Sequence, residues 1–166
     1  MCMLFPASAH AADEDVSGEK TFSDEKLGIN FQYPGIWEVQ PNRTPDDVFV
    51  AQAPGGFSGV YIFVNKTMEH TQASLDALAE VLPEQIKADP ASKFVSIERP
   101  QICSCKAVRL KFEINNPTAK MHSQTVIVLT KNVLVNFNFF TVDMVAQYDT
   151  PVIERIISTI NCDNSK

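Results

Sequence analysis

The most constraining feature of the sequence is the stretch at residues 121–141, MHSQTVIVLTKNVLVNFNFFT, in which two apolar runs flank Lys131-Asn132. Asparagine tolerates a positive φ, so this dipeptide can form a two-residue hairpin turn. The turn places Thr130 opposite Val133 and thereby sets the register behind it. One face of the hairpin then carries the pairs Val128 with Val135, Val126 with Phe137 and Gln124 with Phe139; the other carries Leu129 with Leu134, Ile127 with Asn136 and Thr125 with Asn138. The first face is the more apolar and requires a covering layer.

The rest of the chain supplies short strands and two helices. Apolar alternation and turn residues predict strands at 21–23, 29–33, 48–53, 60–66, 94–99 and 106–114. In the last of these, Val108, Leu110, Phe112 and Ile114 alternate with Arg109, Lys111 and Glu113. Few strands are separated by a helical crossover. The fold class is therefore predicted as α+β, with a mainly antiparallel sheet and helices packed on it.

The two predicted helices have apolar stripes. The first, at 71–89, has Thr71 or Ser74 as its cap, and Pro83 within it predicts a kink or a division into two short helices. The second begins with Thr150 as the N-cap and Pro151 at the first helical position. Its stripe consists of Val152, Ile153, Ile156, Ile157 and Ile160. We expect this stripe to pack on the apolar face of the hairpin.

Length and charge narrow the class of protein. The chain has 166 residues, which is about one domain, and 45% of them are hydrophobic. A net charge of −6 disfavours a nucleic-acid-binding protein, because phosphate contacts need clustered Lys and Arg. No apolar run is long enough to span a bilayer.

The N-terminal segment predicts export. Residues 1–12 read MCMLFPASAHAA, in which Ala9-His10-Ala11 is an A-x-A-type cleavage pattern followed by acidic residues. We interpret residues 1–20 as a signal-peptide remnant, whose start lies upstream of Met1, with a disordered lead-in. Residues 21–162 are then one domain, periplasmic or extracellular. The alternative is a disordered N-terminus of a cytosolic protein.

Cysteines are the main candidate site residues. Cleavage after Ala11 leaves Cys103, Cys105 and Cys162. The strand after Cys105 and the helix before Cys162 are expected on one side of the fold, so Cys162 is predicted to form a disulfide with Cys103 or Cys105. A Cys103–Cys105 bond would close a very small ring of poor geometry. The alternative is a redox dithiol or half a metal site at Cys103 and Cys105.

Other candidate residues have structural explanations. His70 and His122 lack the spacing of metal ligands and are predicted to be exposed. Phe31, Tyr33 and Trp37 can line a binding groove or fill one edge of the core. Arg109, Lys111 and Glu113 are predicted to form a solvated sheet face, which becomes a contact surface for a partner if a helix leaves it open.

Several local motifs resemble the PsbP-like and DcrB-like families. The opening Phe22-Ser23, then Leu27-Gly28-Ile29-Asn30-Phe31-Gln32-Tyr33-Pro34-Gly35-Ile36-Trp37, is similar to their strand, turn, strand and Tyr-Pro-x-x-Trp segment. A strand hairpin, a long helix, the strand with Ala107-Val108-Arg109-Leu110, a long hairpin and a final Ile-x-Ser-x-Ile helix follow in the same order. The resemblance covers about residues 21–160. Cys-Ser-Cys at 103–105 departs from it, because such proteins often have a small turn residue there.

The resemblance implies an α/β/α sandwich and a role in binding or assembly without catalysis. It carries over no catalytic, cofactor-binding or metal-binding residue and no cofactor, and it implies another protein as the partner. We therefore expect an exported, non-enzymatic binding or assembly-type domain. The alternative is a small thiol-dependent redox or metal-binding protein that uses Cys103 and Cys105.

Overall fold

A large antiparallel sheet forms the centre of the computed structural model, which describes residues 18–131 and 133–162. Within this part of the chain the strands are β1 (Glu19–Asp24), β2 (Ile29–Pro34), β3 (Glu38–Val39), β4 (Asp47–Gln52), β5 (Ser58–Phe63), β6 (Ser92–Glu98), β7 (Gln101–Ile102), β8 (Cys105–Asn115), β9 (Lys120–Leu129), β10 (Leu134–Val142) and β11 (Asn161–Cys162). The helices are α1 (Gln72–Ala88) and α2 (Ala146–Ser158). The large sheet has the order β3-β4-β5-β10-β9-β8-β6, with β7 paired to β8, and a small sheet has the order β1-β2-β11. This arrangement confirms the predicted α+β class.

The central hairpin has the predicted register. Val135 lies opposite Val128, Phe137 opposite Val126, and Leu134 opposite Leu129. The backbone N–H of Thr130 donates to the carbonyl of Val133 at 2.9 Å, which closes the hairpin as expected. The predicted turn residue Asn132 lies outside the described residues.

The apolar face of this hairpin is covered by α2 and by the small sheet. Val126, Val128, Val135 and Phe137 are fully buried there. They form one cluster with Ile153, Ile156, Ile157 and Ile160 and with the β2 residues Ile29, Phe31 and Tyr33. The predicted docking of the last helix is therefore confirmed.

The opposite face is covered by α1. Leu75 and Ala79 of this helix form a second buried cluster with Val108, Leu110, Ile127 and Leu134. The large sheet thus lies between two layers, as in an α/β/α sandwich, and the small sheet shares one layer with α2. None of the helices within the described residues is both long and apolar enough to cross a bilayer.

The predicted division of α1 into two short helices is wrong, and the alternative of a kink at Pro83 stays a prediction. The helix is a single element capped by Thr71, whose side chain accepts from the N–H of Ser74 at 3.1 Å, and it continues through Pro83. Proline removes one backbone donor, but Pro83 and Ala79 are both buried on the face that packs against the sheet. Tertiary packing offsets the lost hydrogen bond.

The predicted start of α2 is also wrong. The helix begins at Ala146, after a 3₁₀ turn at Asp143–Val145, and its N-cap is Val145 without a side-chain hydrogen bond. Thr150 and Pro151 therefore lie inside the helix. Asp149 in its first turn accepts a hydrogen bond from Ser58 of β5 at 2.5 Å. This long-range contact stabilises an extra turn that local capping preferences do not predict.

Candidate functional site

A surface cleft of about 520 Å³ lies at one end of the sandwich, beside the N-terminal half of α2. Three segments form its walls: the bend at 34–37 after β2, the turn at 54–57 between β4 and β5, and α2. The wall residues are mostly apolar and comprise Pro34, Gly35, Ile36, Trp37, Ala53, Pro54, Phe57, Val145, Tyr148 and Val152, with Gly18, Glu19, Asp149 and Arg155 at the margin. The cleft is therefore an apolar cavity bordered by charged groups.

The first wall is a tight bend. The N–H of Trp37 donates to the carbonyl of Pro34 at 2.9 Å, and the N–H of Gly35 donates to the carbonyl of Gly18 at 2.7 Å. The bend buries Trp37, which is 5% exposed, and turns Ile36 outward, where it is 52% exposed. A short Pro-Gly segment thus presents an aliphatic side chain to solvent.

The second wall is the β4–β5 turn. Gly55 and Gly56 both have positive φ values, which L side chains rarely adopt, and the N–H of Gly56 donates to the carbonyl of Ala53 at 2.9 Å. The turn brings Phe57 to the cleft with 45% of its surface exposed. Backbone pairing holds the main chain of Phe57 at the cleft, because the carbonyl of Phe57 accepts from the N–H of Val142 at 2.9 Å.

A buried polar network holds α2 beside these walls. The hydroxyl of Ser58, which is fully buried, donates to the carboxylate of Asp149 at 2.5 Å and is hydrogen-bonded to the hydroxyl of Thr141 at 2.8 Å. Arg155 Nε lies 2.9 Å from Glu19 Oε1 and joins α2 to β1 at the margin of the cleft. These contacts hold the helix that carries Tyr148, which is 69% exposed.

A second cleft, of about 570 Å³, lies on the other side of α2, and Lys111, Glu113, His122 and Glu154 are among its lining residues. Arg109 from β8 forms an ion pair with Glu154 of α2 and donates through Nε to Gln124 at 3.0 Å. Its side chain is only 12% exposed. The prediction that Arg109, Lys111 and Glu113 form a solvated sheet face is therefore wrong at Arg109, because α2 covers this part of the sheet. It is also wrong at Glu113, whose side chain is 16% exposed and paired with lysines.

Charged side chains along this second cleft pair with one another. Glu113 lies 3.1 Å from Lys120 and 3.4 Å from Lys93, and the hydrogen bond from Lys120 lowers the pKa of Glu113. His122 Nε2 lies 2.6 Å from Asp143, and this hydrogen bond lowers the pKa of the aspartate. These contacts tie β8, β9 and the 3₁₀ turn together, which is a structural use of the charges.

The two histidines contact groups other than the cysteines. His70 Nδ1 accepts from the backbone N–H of Leu134 at 3.1 Å, and His122 pairs with Asp143. Both side chains are half-buried, so the prediction that they are exposed is wrong. Among the described residues, no three His, Cys, Asp or Glu side chains are arranged to hold a metal ion.

The three cysteines predicted as site residues do come together. The thiol of Cys162 is hydrogen-bonded to the thiol of Cys105, and Cys103 Sγ donates to the carbonyl of Ile160 at 3.3 Å. All three are reduced in the structure. The disulfide between Cys162 and one of the other two therefore remains a prediction, with both partners in place.

The aromatic cluster belongs to the core. Phe31, Tyr33 and Trp37 are all buried, and Phe31 contacts Phe49 and Phe137 at ring-centroid distances of 5.5 and 5.8 Å. Only Trp37 also borders the apolar cleft. The exposed residues of the cleft were missed, although apolar side chains in the proline- and glycine-rich turns at 34–37 and 54–57 are the signal that marks them.

No protein-family model matches the chain, and none of the curated proteins matches its sequence. Solved structures do match. Cyanobacterial PsbP (CyanoP) from Synechocystis sp. PCC 6803 is 12% identical, with 93% of this chain and 98% of that chain covered and a TM-score of 0.68. The chain has the PsbP-like fold. The PsbP-like and DcrB-like resemblance is thus confirmed for the fold.

Two further structures share the PsbP-like fold with this chain. LpqN, involved in cell envelope biogenesis of Mycobacterium tuberculosis, is 10% identical, with 87% of this chain and 90% of LpqN covered and a TM-score of 0.54. PA94 from Pseudomonas aeruginosa is 12% identical, with 89% and 99% covered and a TM-score of 0.56. At these identities the comparison concerns the fold and not a shared site.

Proposed function

We propose that the chain is an exported, non-enzymatic binding or assembly domain that holds a segment of another protein in the apolar cleft. One observation carries the proposal: Ile36, Phe57 and Tyr148 border the same cleft with 52%, 45% and 69% of their surfaces exposed. Clustered exposed apolar side chains with a polar margin are typical of protein interaction sites.

The cleft favours an extended segment with apolar side chains as its occupant. A volume of about 520 Å³ is within the range of small-molecule and peptide sites. The ion pair of Arg155 with Glu19 at the margin offers polar groups to a bound backbone. Because the bend and the turn are held by backbone hydrogen bonds, the apolar walls are formed before a partner binds, which lowers the entropic cost of binding.

Export is the second part of the proposal. Its support is the Ala9-His10-Ala11 pattern followed by acidic residues, and the use of the same fold by a protein involved in cell envelope biogenesis. N-terminal sequencing of the protein from its native host is expected to begin near Ala12. An abundant cytosolic form that retains Met1 contradicts export.

Site-specific photo-cross-linking tests the proposed binding site. A benzophenone amino acid replaces Phe57 in cells of the native host, and the matched control replaces Val81, which is 48% exposed on α1. We expect irradiation to give a discrete adduct with a second protein at position 57 and not at position 81. Adding Ile36→Glu is expected to reduce that adduct without unfolding the domain, because Ile36 lies at the surface.

Three results contradict the binding site. Equal adducts at positions 57 and 81 indicate random collisions. An adduct only with a second copy of the chain, or with its own residues 1–17, shows that the cleft serves self-association or the N-terminal segment. The absence of any adduct at position 57 in the native host removes the proposed partner.

A further inference from the structure

A cluster of three thiols lies where the β7–β8 turn meets the end of the chain. Cys103 and Ser104 form the turn between Ile102 and Cys105, which pair with each other. Cys162 is in β11 of the small sheet, opposite Ile29 of β2. The fold thus joins residues that are separated by 162 − 105 = 57 positions, and it brings β8 of the large sheet against β11 of the small one.

The three thiols differ in their access to solvent. Cys105 is 2% exposed and Cys162 is 5% exposed, so neither is open to a bulky reagent. Cys103 is exposed and lies in a tight turn, where its φ is 53°. An oxidant from solution therefore meets Cys103 first.

The pKa of the buried Cys162 thiol also favours Cys103 as the first thiol to react with an oxidant. Burial, together with the hydrogen bond that the Cys162 thiol donates to Cys105, raises the pKa of the Cys162 thiol, and Cys103 is close enough to contribute to that shift. A thiol held in its protonated form is a poor nucleophile toward external reagents. It can still react with a sulfur that is held next to it, because proximity offsets its low thiolate fraction.

We propose that this cluster is a thiol–disulfide exchange site, in which Cys103 reacts with a small-molecule or protein disulfide and the Cys105–Cys162 disulfide is the product. Cys103 thiolate attacks the external disulfide, forms a mixed disulfide and releases one external thiol. Cys162 loses its proton, attacks the Cys103 sulfur and expels the second external thiol. Cys105 then attacks Cys162, and Cys103 leaves as a thiol. The chain loses two electrons and two protons, and the external disulfide gains both.

The product disulfide has a structural consequence. It ties the last described strand to the large sheet and closes a loop of 57 residues. In the chain-entropy model, a loop of this size stabilises enough to raise the Tm by roughly 10 °C. This inference does not rest on the proposed partner in the apolar cleft, and the two experiments use different residues and readouts.

The test compares the reduced wild-type protein with Cys103→Ser, Cys105→Ser and Cys162→Ser during oxidation by glutathione disulfide. Samples quenched with an alkylating reagent are mapped without reduction. We expect wild type and Cys103→Ser to end with Cys105 linked to Cys162, and Cys103→Ser to form that bond about tenfold more slowly or slower still. Cys162→Ser is expected to retain glutathione on Cys103.

Two outcomes of the oxidation experiment contradict the proposal. If Cys103→Ser oxidises as fast as wild type, Cys103 is not the point of exchange. If wild type ends with Cys103 linked to Cys162, the assigned product is wrong. The Tm of each oxidised and reduced pair provides a second readout: an increase in wild type and Cys103→Ser, but not in Cys162→Ser, is expected, and an unchanged Tm in wild type contradicts the structural consequence.

Discussion

The two faces of the large sheet are built differently. On the face toward α2, apolar side chains run the length of the central hairpin and meet both a helix and the small sheet. On the face toward α1, a smaller buried cluster lies under one helix, and beyond it the sheet carries polar groups. Strand β10 contributes to both faces, because Phe137 and Phe139 point to the first and Asn136 and Asn138 to the second.

Hydrogen bonds replace apolar cover on the α1 face where the helix ends. Thr125 donates to the side-chain oxygen of Asn138 at 2.7 Å, and Tyr61 donates to the carboxylate of Asp47 at 2.5 Å. An open groove of about 330 Å³ remains between α1 and the sheet, bordered by Leu82 and Phe112. The face toward α2, which both a helix and the small sheet cover, supplies most of the packing, and the half-covered face toward α1 depends more on polar contacts.

Truncation of a buried side chain on each face is expected to give the largest changes in the free energy of unfolding. Ile156 is 1% exposed in the cluster under α2, so Ile156→Ala leaves a cavity and is expected to lower the free energy of unfolding by about 2–5 kcal/mol. Leu75 is equally buried under α1. Leu75→Ala is expected to lie near the lower end of that range, because a half-covered face can close more easily around a cavity.

Urea denaturation measures both changes, with Val81→Ala as the control. Val81 is 48% exposed on α1, and its truncation is expected to change the free energy of unfolding by less than about 0.5 kcal/mol. If Leu75→Ala lowers the free energy of unfolding as much as Ile156→Ala does, the proposed difference between the two faces is contradicted. If Ile156→Ala lowers it no more than the control does, the docking of α2 is contradicted.

The register of the central hairpin could be predicted because it depends on neighbours in the sequence. A two-residue turn and period-two alternation together leave one pairing that buries Val128 with Val135. The stripe of α2 could be predicted for the same reason. Both features are local sequence patterns, and for each of them the chain offers one apolar surface to pack against.

The features that could not be predicted depend on distant residues. The start of α2 is set by Ser58, which bonds Asp149 across 91 positions, and the burial of Arg109 depends on Glu154, 45 positions away. The apolar cleft was missed because its walls come from three separate segments. For the cysteines, the topology predicted that Cys162 lies near the other two, but the turn conformation of Cys103 decides which thiol is open.

The polar support of the half-covered face gives the last prediction, which concerns Asp47 and pH. Asp47 is only 7% exposed, and its carboxylate accepts hydrogen bonds from the side chains of Thr44 and Tyr61 and from the backbone N–H groups of Arg43 and Thr44. Burial raises the pKa of Asp47, but these hydrogen bonds outweigh burial and hold the pKa well below its usual range. The ionised carboxylate is thus favoured in the folded state.

A lowered folded-state pKa stabilises the protein above the unfolded-state pKa, which is about 3.9 for aspartate, and the stabilisation is lost as the pH falls toward the folded-state value. Asp47→Asn removes the charge and places an amide donor against groups that are themselves donors. We expect it to lower the Tm at pH 7, by less than Ile156→Ala does, and to flatten the fall in Tm between about pH 4 and pH 2. Tyr61→Phe removes one of the four donors and is expected to act in the same direction with a smaller effect.

Because other carboxylates also titrate in this range, the informative quantity is the difference in Tm between variant and wild type at each pH. A difference that stays constant from pH 7 to pH 2 contradicts the assignment of this titration to Asp47 and, with it, the polar support of the α1 face.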